Sequence, residues 1–247
     1  MSKRRLLQLL VIFLIPLILI FSQCIRTARH TDPRGNLYAG SASCIKCHSN
    51  ISGSFFHTAH YLSTRSGSLK NIHGSLANGY AVFKFSDSLK VVVEKHGSRL
   101  YQTAYLKGKK LESQPFDIVF GGIKAESYLY WKGSKIYQLP LSYFSALHNW
   151  TNSPGYEDNK VDYGRLIGSR YFECHSSYIK ELPSATQSLH QEPAFDKASL
   201  IMGVDCERCH GPGANHVNFH TAYPEQNKAR YITTYQSLSR AFRFVNS

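Results

Sequence analysis

Two cysteine pairs in this chain share one pattern, in which two residues separate the cysteines and a histidine follows directly: Cys44, Cys47 and His48, then Cys206, Cys209 and His210. This is the pattern for covalent attachment of c-type haem. Each thiol adds to one haem vinyl group, and the histidine that follows is held beneath the ring as an axial ligand to the iron. The spacing therefore predicts two haem c groups, each bound by two thioether bonds and one histidine.

A structural zinc site is the main alternative for these cysteines, because two such pairs can supply four thiolates. Zinc ribbons usually place the pairs within about 15 to 20 residues of each other. Here most of the chain separates them, and a histidine closes both pairs, which zinc does not require. Zinc and disulfide bonds are therefore the weaker predictions.

The start of the chain predicts export. Lys3, Arg4 and Arg5 precede an almost unbroken apolar run at 6–21, which is typical of a signal peptide. Cys24 follows as the expected lipidation site, which would anchor the chain to a membrane. Cleavage elsewhere and an uncleaved anchor remain alternatives. Because c-type haem is attached outside the cytoplasm, both signals predict a protein on the periplasmic side of a bacterial membrane or at the cell surface.

The chain is basic, with a formal net charge of +13 over 247 residues. A basic surface can steer acidic redox partners or anionic substrates, and it can equally serve solubility. The basic residues do not accompany an ordered aromatic motif, so nucleic acid is not a predicted partner.

The predicted fold class is α+β, with haem-organised helices and loops and an antiparallel β-hairpin insert. Short runs rich in β-branched and aromatic residues, separated by turn-like pieces, predict the hairpins. These runs are 80–85, 90–95, 100–106, 116–120, 127–131 and 135–139. We expect a short helix over 160–170 and helix and loop over 177–191. The predicted segments are a signal or anchor (1–23), a tether (24–40), a first haem segment (41–78), the β insert (79–140) and a second haem segment (141–247).

Ligation of each iron by two histidines would need two more of the chain's 12 histidines. We predict His60 and His216 for this role, with His57 and His220 as their nearest rivals. His57 and His60 are three residues apart, so on a helix they share one face.

Cys174 and His175 have the ending of a third attachment motif, but Tyr171 stands where its first cysteine should be. One interpretation is a third haem held by a single thioether bond, with His175 as its ligand. The other is a thiol beside an incidental histidine, which the residues alone favour.

The order of these pieces resembles the multihaem c-type cytochromes related to the tetrahaem cytochrome c-554 of ammonia oxidisers, the cytochrome c-552/4 family. The likeness covers roughly residues 38 to 220 and rests on the first motif with Thr58-Ala59-His60, on 137–140, on 150–156, and on 206–213 with His216. It implies close-packed haems, distal histidines near His60 and His216, and electron transfer. Such proteins commonly have a complete motif at 171–175 and continue into further haem motifs, so this chain resembles a shortened relative.

The leading functional hypothesis is an exported cytochrome that passes single electrons between redox partner proteins, and not an enzyme. Two histidine ligands fill both axial positions of an iron and leave none for a substrate. The alternative is a haem enzyme, or enzyme subunit, that reduces a small nitrogen oxide or similar molecule at an open iron site.

Overall fold

A computed structural model describes residues 13–15, 32–76, 81–183 and 192–233. The chain divides into two units, residues 1–32 and 33–247, and every element below belongs to the second. Cys24 and most of the predicted signal lie outside the described residues. Within the described part, no helix is long and apolar enough to cross a membrane.

The strands of this unit form three antiparallel sheets. The strands are β1 (Thr64–Ser66), β2 (Val82–Lys84), β3 (Leu89–His96), β4 (Arg99–Leu106), β5 (Lys109–Pro115), β6 (Ile118–Gly121), β7 (Ala125–Lys132), β8 (Lys135–Gln138), β9 (Leu141–Phe144), β10 (Asn149–Asn152), β11 (Ser176–Glu181) and β12 (Phe195–Met202). A central sheet of six strands has the order β1-β6-β7-β9-β10, with β8 also paired to β7, and a four-stranded sheet has the order β2-β3-β4-β5. A third sheet consists of β11 and β12.

The helices are short and lie outside the two larger sheets. They are α1 (Ser41–Ile45), α2 (Ser49–Phe55), α3 (Ser169–His175), α4 (Cys206–His210) and α5 (Ala214–Ala222), with 3₁₀ turns at Tyr61–Ser63 and Leu69–Asn71. Both complete cysteine motifs and the incomplete one thus fall on or beside a short helix: α1, α4 and α3.

Both faces of the central sheet are buried. Successive side chains of a strand point to opposite faces, so neighbouring residues of one strand belong to different clusters. Val119 and Tyr128 belong to the cluster that packs against the four-stranded sheet. Ile118 and Leu129, their chain neighbours, belong to a second cluster that includes Phe172 of α3 and other residues around it. Each such buried side chain contributes roughly 1.5 to 3 kcal/mol. The central sheet is therefore the layer that supports α3.

Residues 60–64 connect the central sheet to the segments that carry the motifs. The Val204 N–H donates to the His60 carbonyl at 2.9 Å, and the Ser63 hydroxyl donates to the His175 carbonyl at 2.8 Å. Gly203 permits the close approach: its φ is +67°, and a Cβ there would lie 2.1 Å from the Tyr61 carbonyl oxygen.

The predicted fold class is wrong. The structure is mostly antiparallel β-sheet with a few short helices, and not a set of haem-organised helices with a β insert. The predicted hairpins within 80–139 are present, but strands also form before and after them. Residues 160–168 form no helix, and 176–181 is β11 instead of helix. Strand β11 forms because it pairs with β12, a partner that local sequence does not reveal.

Replacing Gly203 by alanine tests the contact between residues 60–64 and the start of α4. Gly203→Ala should lower the free energy of unfolding by at least about 2 kcal/mol more than Gly97→Ala, measured by urea unfolding. Gly97 is the matched control, since its φ is +61° and a Cβ there meets nothing within 4 Å. The control isolates the cost of the left-handed backbone, roughly 1 to 2 kcal/mol. Equal losses in the two variants would contradict the close packing at Gly203.

Candidate functional site

The two complete cysteine motifs lie side by side. Their helices α1 and α4 are in contact. The Cys44 thiol donates to the Gly40 carbonyl at 3.8 Å. Interaction between the Cys44 and Cys206 side chains raises the pKa of Cys44 above its usual value and lowers the pKa of Cys206 to about 6. Cys47 and Cys209, the second cysteine of each motif, are exposed. The fold thus places the two cysteine motifs next to each other, with Cys47 and Cys209 accessible.

The carboxylate of Glu207, inside the second motif, holds this arrangement together. One oxygen accepts the backbone N–H of Gly40 at 2.9 Å and the other accepts that of Ala39 at 2.8 Å, just before α1. It also accepts the Gly213 N–H at 2.7 Å and the Arg34 guanidinium at 2.9 Å. The carboxylate is fully buried. Since an unsatisfied buried donor costs about 1 to 3 kcal/mol, these bonds fix the chain before α1 against α4.

Asp205 adds a second link from the same end of α4. It caps the helix by accepting the Arg208 N–H at 2.9 Å. It also forms a salt bridge of 3.0 Å with Arg34, whose side chain is 5% exposed. The Arg34 guanidinium therefore contacts two carboxylates, so each of these buried carboxylates has a charged partner.

The rings of His48 and His216 lie close together and nearly parallel. Their centroids are 6.3 Å apart and their planes differ by 14°. A metal–nitrogen bond is about 2.0 to 2.1 Å, and a ring nitrogen lies roughly 1.1 Å from the ring centre, so a metal between two imidazole nitrogens sets the ring centres about 6 Å apart. The observed centroid separation matches this distance.

Three histidines near the motifs direct Nδ1 at a backbone carbonyl oxygen. His210 contacts Thr233 at 2.6 Å, and His216 contacts Arg230 at 2.8 Å. The third, His175, is 3.4 Å from the carbonyl oxygen of Ser63. When Nδ1–H donates to a carbonyl, Nε2 keeps its lone pair, and metal-binding histidines are oriented in this way.

His57 and His60 occupy a less defined position. Both side chains are exposed. The backbone of His60 lies beside Val204, close to the second motif, through the hydrogen bond described above. No contact between the ring of either residue and another ring is seen in the described part of the chain. The structure therefore brings the His60 backbone to the second motif but does not bring its ring to His210.

The incomplete third motif lies on a helix in the same way as the second motif. Helix α3 ends at His175, and α4 ends at His210. Cys174 is exposed, and so is Tyr171 at the position of the missing cysteine, with 44% of its surface accessible. The His175 ring stacks on Phe120 of the central sheet at a centroid distance of 4.8 Å. The hydroxyl of Thr64 also donates to the His175 carbonyl.

The described residues of this site can accommodate a haem group. Over residues 32–76, 81–183 and 192–233, no three histidine, cysteine or acidic side chains converge to hold a metal ion by themselves. The described cysteines are all free. The Nε2 atom of His220, whose ring lies 4.6 Å from that of His216, is buried with no hydrogen-bond partner in the described structure. Such an atom is rarely left unsatisfied, so it indicates a missing group beside α5.

Sequence reasoning singled out the motif residues and His216, but it missed the groups that join the two motifs. Glu207, Asp205 and Arg34 had no predicted role, and neither did the carbonyl groups that orient His210 and His216. The acidic residue inside the second motif was a usable signal, because a carboxylate that becomes buried there needs partners.

Replacing Glu207 by glutamine tests the link between the motifs. The amide has the shape of the carboxylate but presents an NH₂ group to backbone donors, so one bond becomes a donor–donor contact. We expect Glu207→Gln to lower the free energy of unfolding by about 1 to 3 kcal/mol, measured by urea unfolding. Glu173→Gln, at an exposed position of α3, is the control and should have little effect. A Glu207→Gln protein as stable as the control would show that the contact is dispensable.

Comparison with models of known protein families finds no match, and comparison with curated protein sequences finds none either. Among solved structures, the chain is similar to one described as the crystal structure of outer cell wall cytochrome OcwA. The sequence identity is 19% and the TM-score is 0.45. The match covers 83% of this chain but 37% of that one, so this chain spans little more than a third of that protein. The resemblance to cytochrome c-554 remains a prediction from the motifs.

Proposed function

We propose that this protein is an exported multihaem c-type cytochrome that transfers single electrons between redox partner proteins. The observation that carries the proposal is the short distance between His48 and His216, whose ring centres are 6.3 Å apart. When bound, haem supplies an iron that takes up and releases one electron. Cys44 and Cys47 would hold one haem, and Cys206 and Cys209 the other.

The ligand pairing crosses between the two motifs. His48 belongs to the first motif, whereas His216 lies on α5, just after the second. We assign His216 as the second histidine that would hold the haem at Cys44 and Cys47. The Arg230 carbonyl orients its ring, and the His48 ring lies nearly parallel to it. Two nitrogen ligands would leave the iron no open position for a substrate, which suits electron transfer.

His210 would ligate the haem at Cys206 and Cys209, with its Nδ1 held by the Thr233 carbonyl. His60 remains our proposed second ligand there, since its backbone already lies beside Val204, and His57 is the rival. The contact between α1 and α4 supports a short distance between the two attachment sites. Closely spaced attachment sites favour electron exchange between the two groups.

The alternative function, reduction of a small nitrogen oxide or similar molecule, would need an open iron position. His210 is where it could arise, because no described histidine ring stands opposite it. Carbon monoxide added to the reduced protein, and nitrite added to the oxidised one, would change the visible spectrum if such a position exists. An unchanged spectrum supports the electron carrier.

Export and anchoring through Cys24 are part of the proposal. They are supported by the apolar run at 6–21 and by the need to attach c-type haem outside the cytoplasm. A third haem at Cys174 and His175 is also proposed. It is supported by the orientation of His175, which resembles that of His210 and His216.

Replacing His216 by alanine tests the crossed ligation. One haem should lose its second nitrogen ligand, so the oxidised protein should show a high-spin component in electron paramagnetic resonance at unchanged haem content. His96→Ala is the control, because His96 is exposed and contacts Glu94 on the four-stranded sheet. A fully low-spin His216→Ala protein would contradict the assignment.

The number of haems tests the proposal as a whole. We expect intact mass and the alkaline pyridine haemochrome spectrum to give two haems with both vinyl groups saturated and a third with one surviving vinyl group. Cys174→Ser should remove the third haem alone, and Tyr171→Cys should saturate its second vinyl group. Two haems in the unaltered protein would make Cys174 a structural thiol. Zero would overturn the proposed function.

A further inference from the structure

The first cysteine of each motif lies at the contact between α1 and α4. Cys44 and Cys206 are half-buried, whereas the second cysteine of each motif, Cys47 or Cys209, is exposed. The two helices contact each other. The Cys206 side chain interacts there with two residues of α1, Cys44 and Ser41. The fold therefore brings together two thiols that are far apart in the sequence.

Polar contacts hold the segments that carry these two thiols against each other. The Cys44 thiol donates to the Gly40 carbonyl at 3.8 Å, and the Gly40 N–H donates to the Glu207 carboxylate at 2.9 Å. Both chain neighbours of Cys206, Asp205 and Glu207, are bound to residues ahead of α1. None of these contacts involves haem, so the pair is held in place by the folded chain itself.

The two thiols differ in reactivity. The thiolate, and not the thiol, attacks a disulfide. Interaction with Cys44 and Ser41 lowers the pKa of Cys206 to about 6, so this sulfur is largely ionised at neutral pH. Interaction with Cys206 raises the pKa of Cys44, which therefore stays protonated. One nucleophilic sulfur thus lies beside one thiol.

A disulfide within one motif is the alternative, and helical geometry opposes it. Residues three apart on a helix have Cβ atoms about 5 to 6 Å apart, whereas a disulfide needs about 3.5 to 4.5 Å. Cys206 and Cys209 both lie within α4. The N–H groups of Cys47 and His48 donate to the Cys44 carbonyl at 3.2 and 3.0 Å, which continues the helical turn. Closing either motif would distort its helix, and a link between the motifs would not.

We infer that Cys44 and Cys206 form a reversible disulfide that joins the two motifs while the chain carries no haem. An exported protein meets oxidising conditions, in which neighbouring thiols are converted to disulfides. Thioether formation uses the same two sulfurs, so the disulfide has to be reduced before haem attachment. The occurrence of this crossed disulfide in the cell rests on the proposed export and haem attachment, whereas its formation in the purified chain does not.

The reaction is a thiol–disulfide exchange in which a small-molecule or protein disulfide is the oxidant. The Cys206 thiolate attacks one sulfur of the oxidant, and the other sulfur leaves as a thiolate. The Cys44 thiol gives its proton to that thiolate and attacks the Cys206 sulfur, which releases the second thiolate. Two protein sulfurs are oxidised, and the disulfide of the oxidant is reduced to one thiol and one thiolate.

The crossed disulfide would act on the whole fold and not only on the motifs. It closes a loop that contains every strand from β1 to β12. A cross-link that closes a long loop restricts the unfolded chain and thereby stabilises the folded one. The haem-free chain would therefore keep its sheets and the contact between α1 and α4 until reduction frees both cysteines.

Two variants that each keep one cysteine per motif test the inference. Cys47→Ser/Cys209→Ser retains the half-buried pair, and Cys44→Ser/Cys206→Ser retains the exposed pair. In both, the remaining two cysteines of the chain are also replaced by serine, and both are produced in a host that attaches no haem. Each is equilibrated with mixtures of reduced and oxidised glutathione, and the disulfide fraction is measured by intact mass after alkylation. We expect the half-buried pair to be half oxidised at a glutathione ratio at least about tenfold more reducing.

Urea provides the second control, because it removes the folded geometry and leaves the thiols. In urea the two variants should be half oxidised at similar glutathione ratios. Equal oxidation of the two variants without urea would overturn the inference. Disulfides of the Cys47→Ser/Cys209→Ser variant that form only between different chains would overturn it as well.

The unaltered chain gives an independent measurement by peptide mapping without reduction. The main disulfide of the haem-free chain should link the peptide of Cys44 to that of Cys206, and links mainly within the motifs would contradict the inference. Haem attachment after reduction is measured separately. A crossed disulfide in a chain that then takes up no haem would contradict the proposed function alone. Haem uptake by a chain that never forms the crossed disulfide would contradict the inference alone.

Discussion

The buried carboxylate of Glu207 is the contact on which the geometry of the site depends. It lies within one cysteine motif but satisfies backbone groups that lead into the other, at Ala39 and Gly40. Four donors converge on it in a place that water does not reach. Because a buried carboxylate without partners is costly, the chain cannot separate these segments without exposing it. The carboxylate therefore fixes the positions of the two motifs relative to each other.

The sheets provide the rigid support for that geometry. The central sheet is buried on both faces, which is unusual for antiparallel strands and gives it two sets of packing contacts. Through Phe120 and Phe172 it fixes helix α3, and through β1 it fixes the end of residues 60–64. The attachment segments contain few buried apolar side chains of their own. These segments are held in place by packing against the β-sheet core and by the polar contacts of Glu207, Asp205 and Arg34.

Local sequence predicted what depends on neighbours along the chain. The hairpins between 80 and 139 follow from alternating apolar residues and turn-forming pieces. Strand β5 was missed because Lys109–Pro115 lies on an exposed edge, so burial imposes no apolar pattern on it. Strands β11 and β12 were missed because residues 182–194 separate them along the chain and each forms a strand by pairing with the other. Likewise, the sequence singled out His216, but its position opposite His48 depends on tertiary contacts that spacing cannot reveal.

Because His48 and His216 lie far apart in the sequence, the site that they form is completed late in the export of the chain. An exported chain emerges from its N-terminus, so on the proposed function Cys44, Cys47 and His48 would reach the attachment machinery long before His216. The first haem would spend most of translocation with one protein ligand, and the final residues of the site would close over it only when α5 arrived. A stalled or prematurely cut chain would then carry a covalently bound but coordinatively incomplete haem. The order of synthesis, and not only the folded geometry, would determine when both histidines are available to this iron.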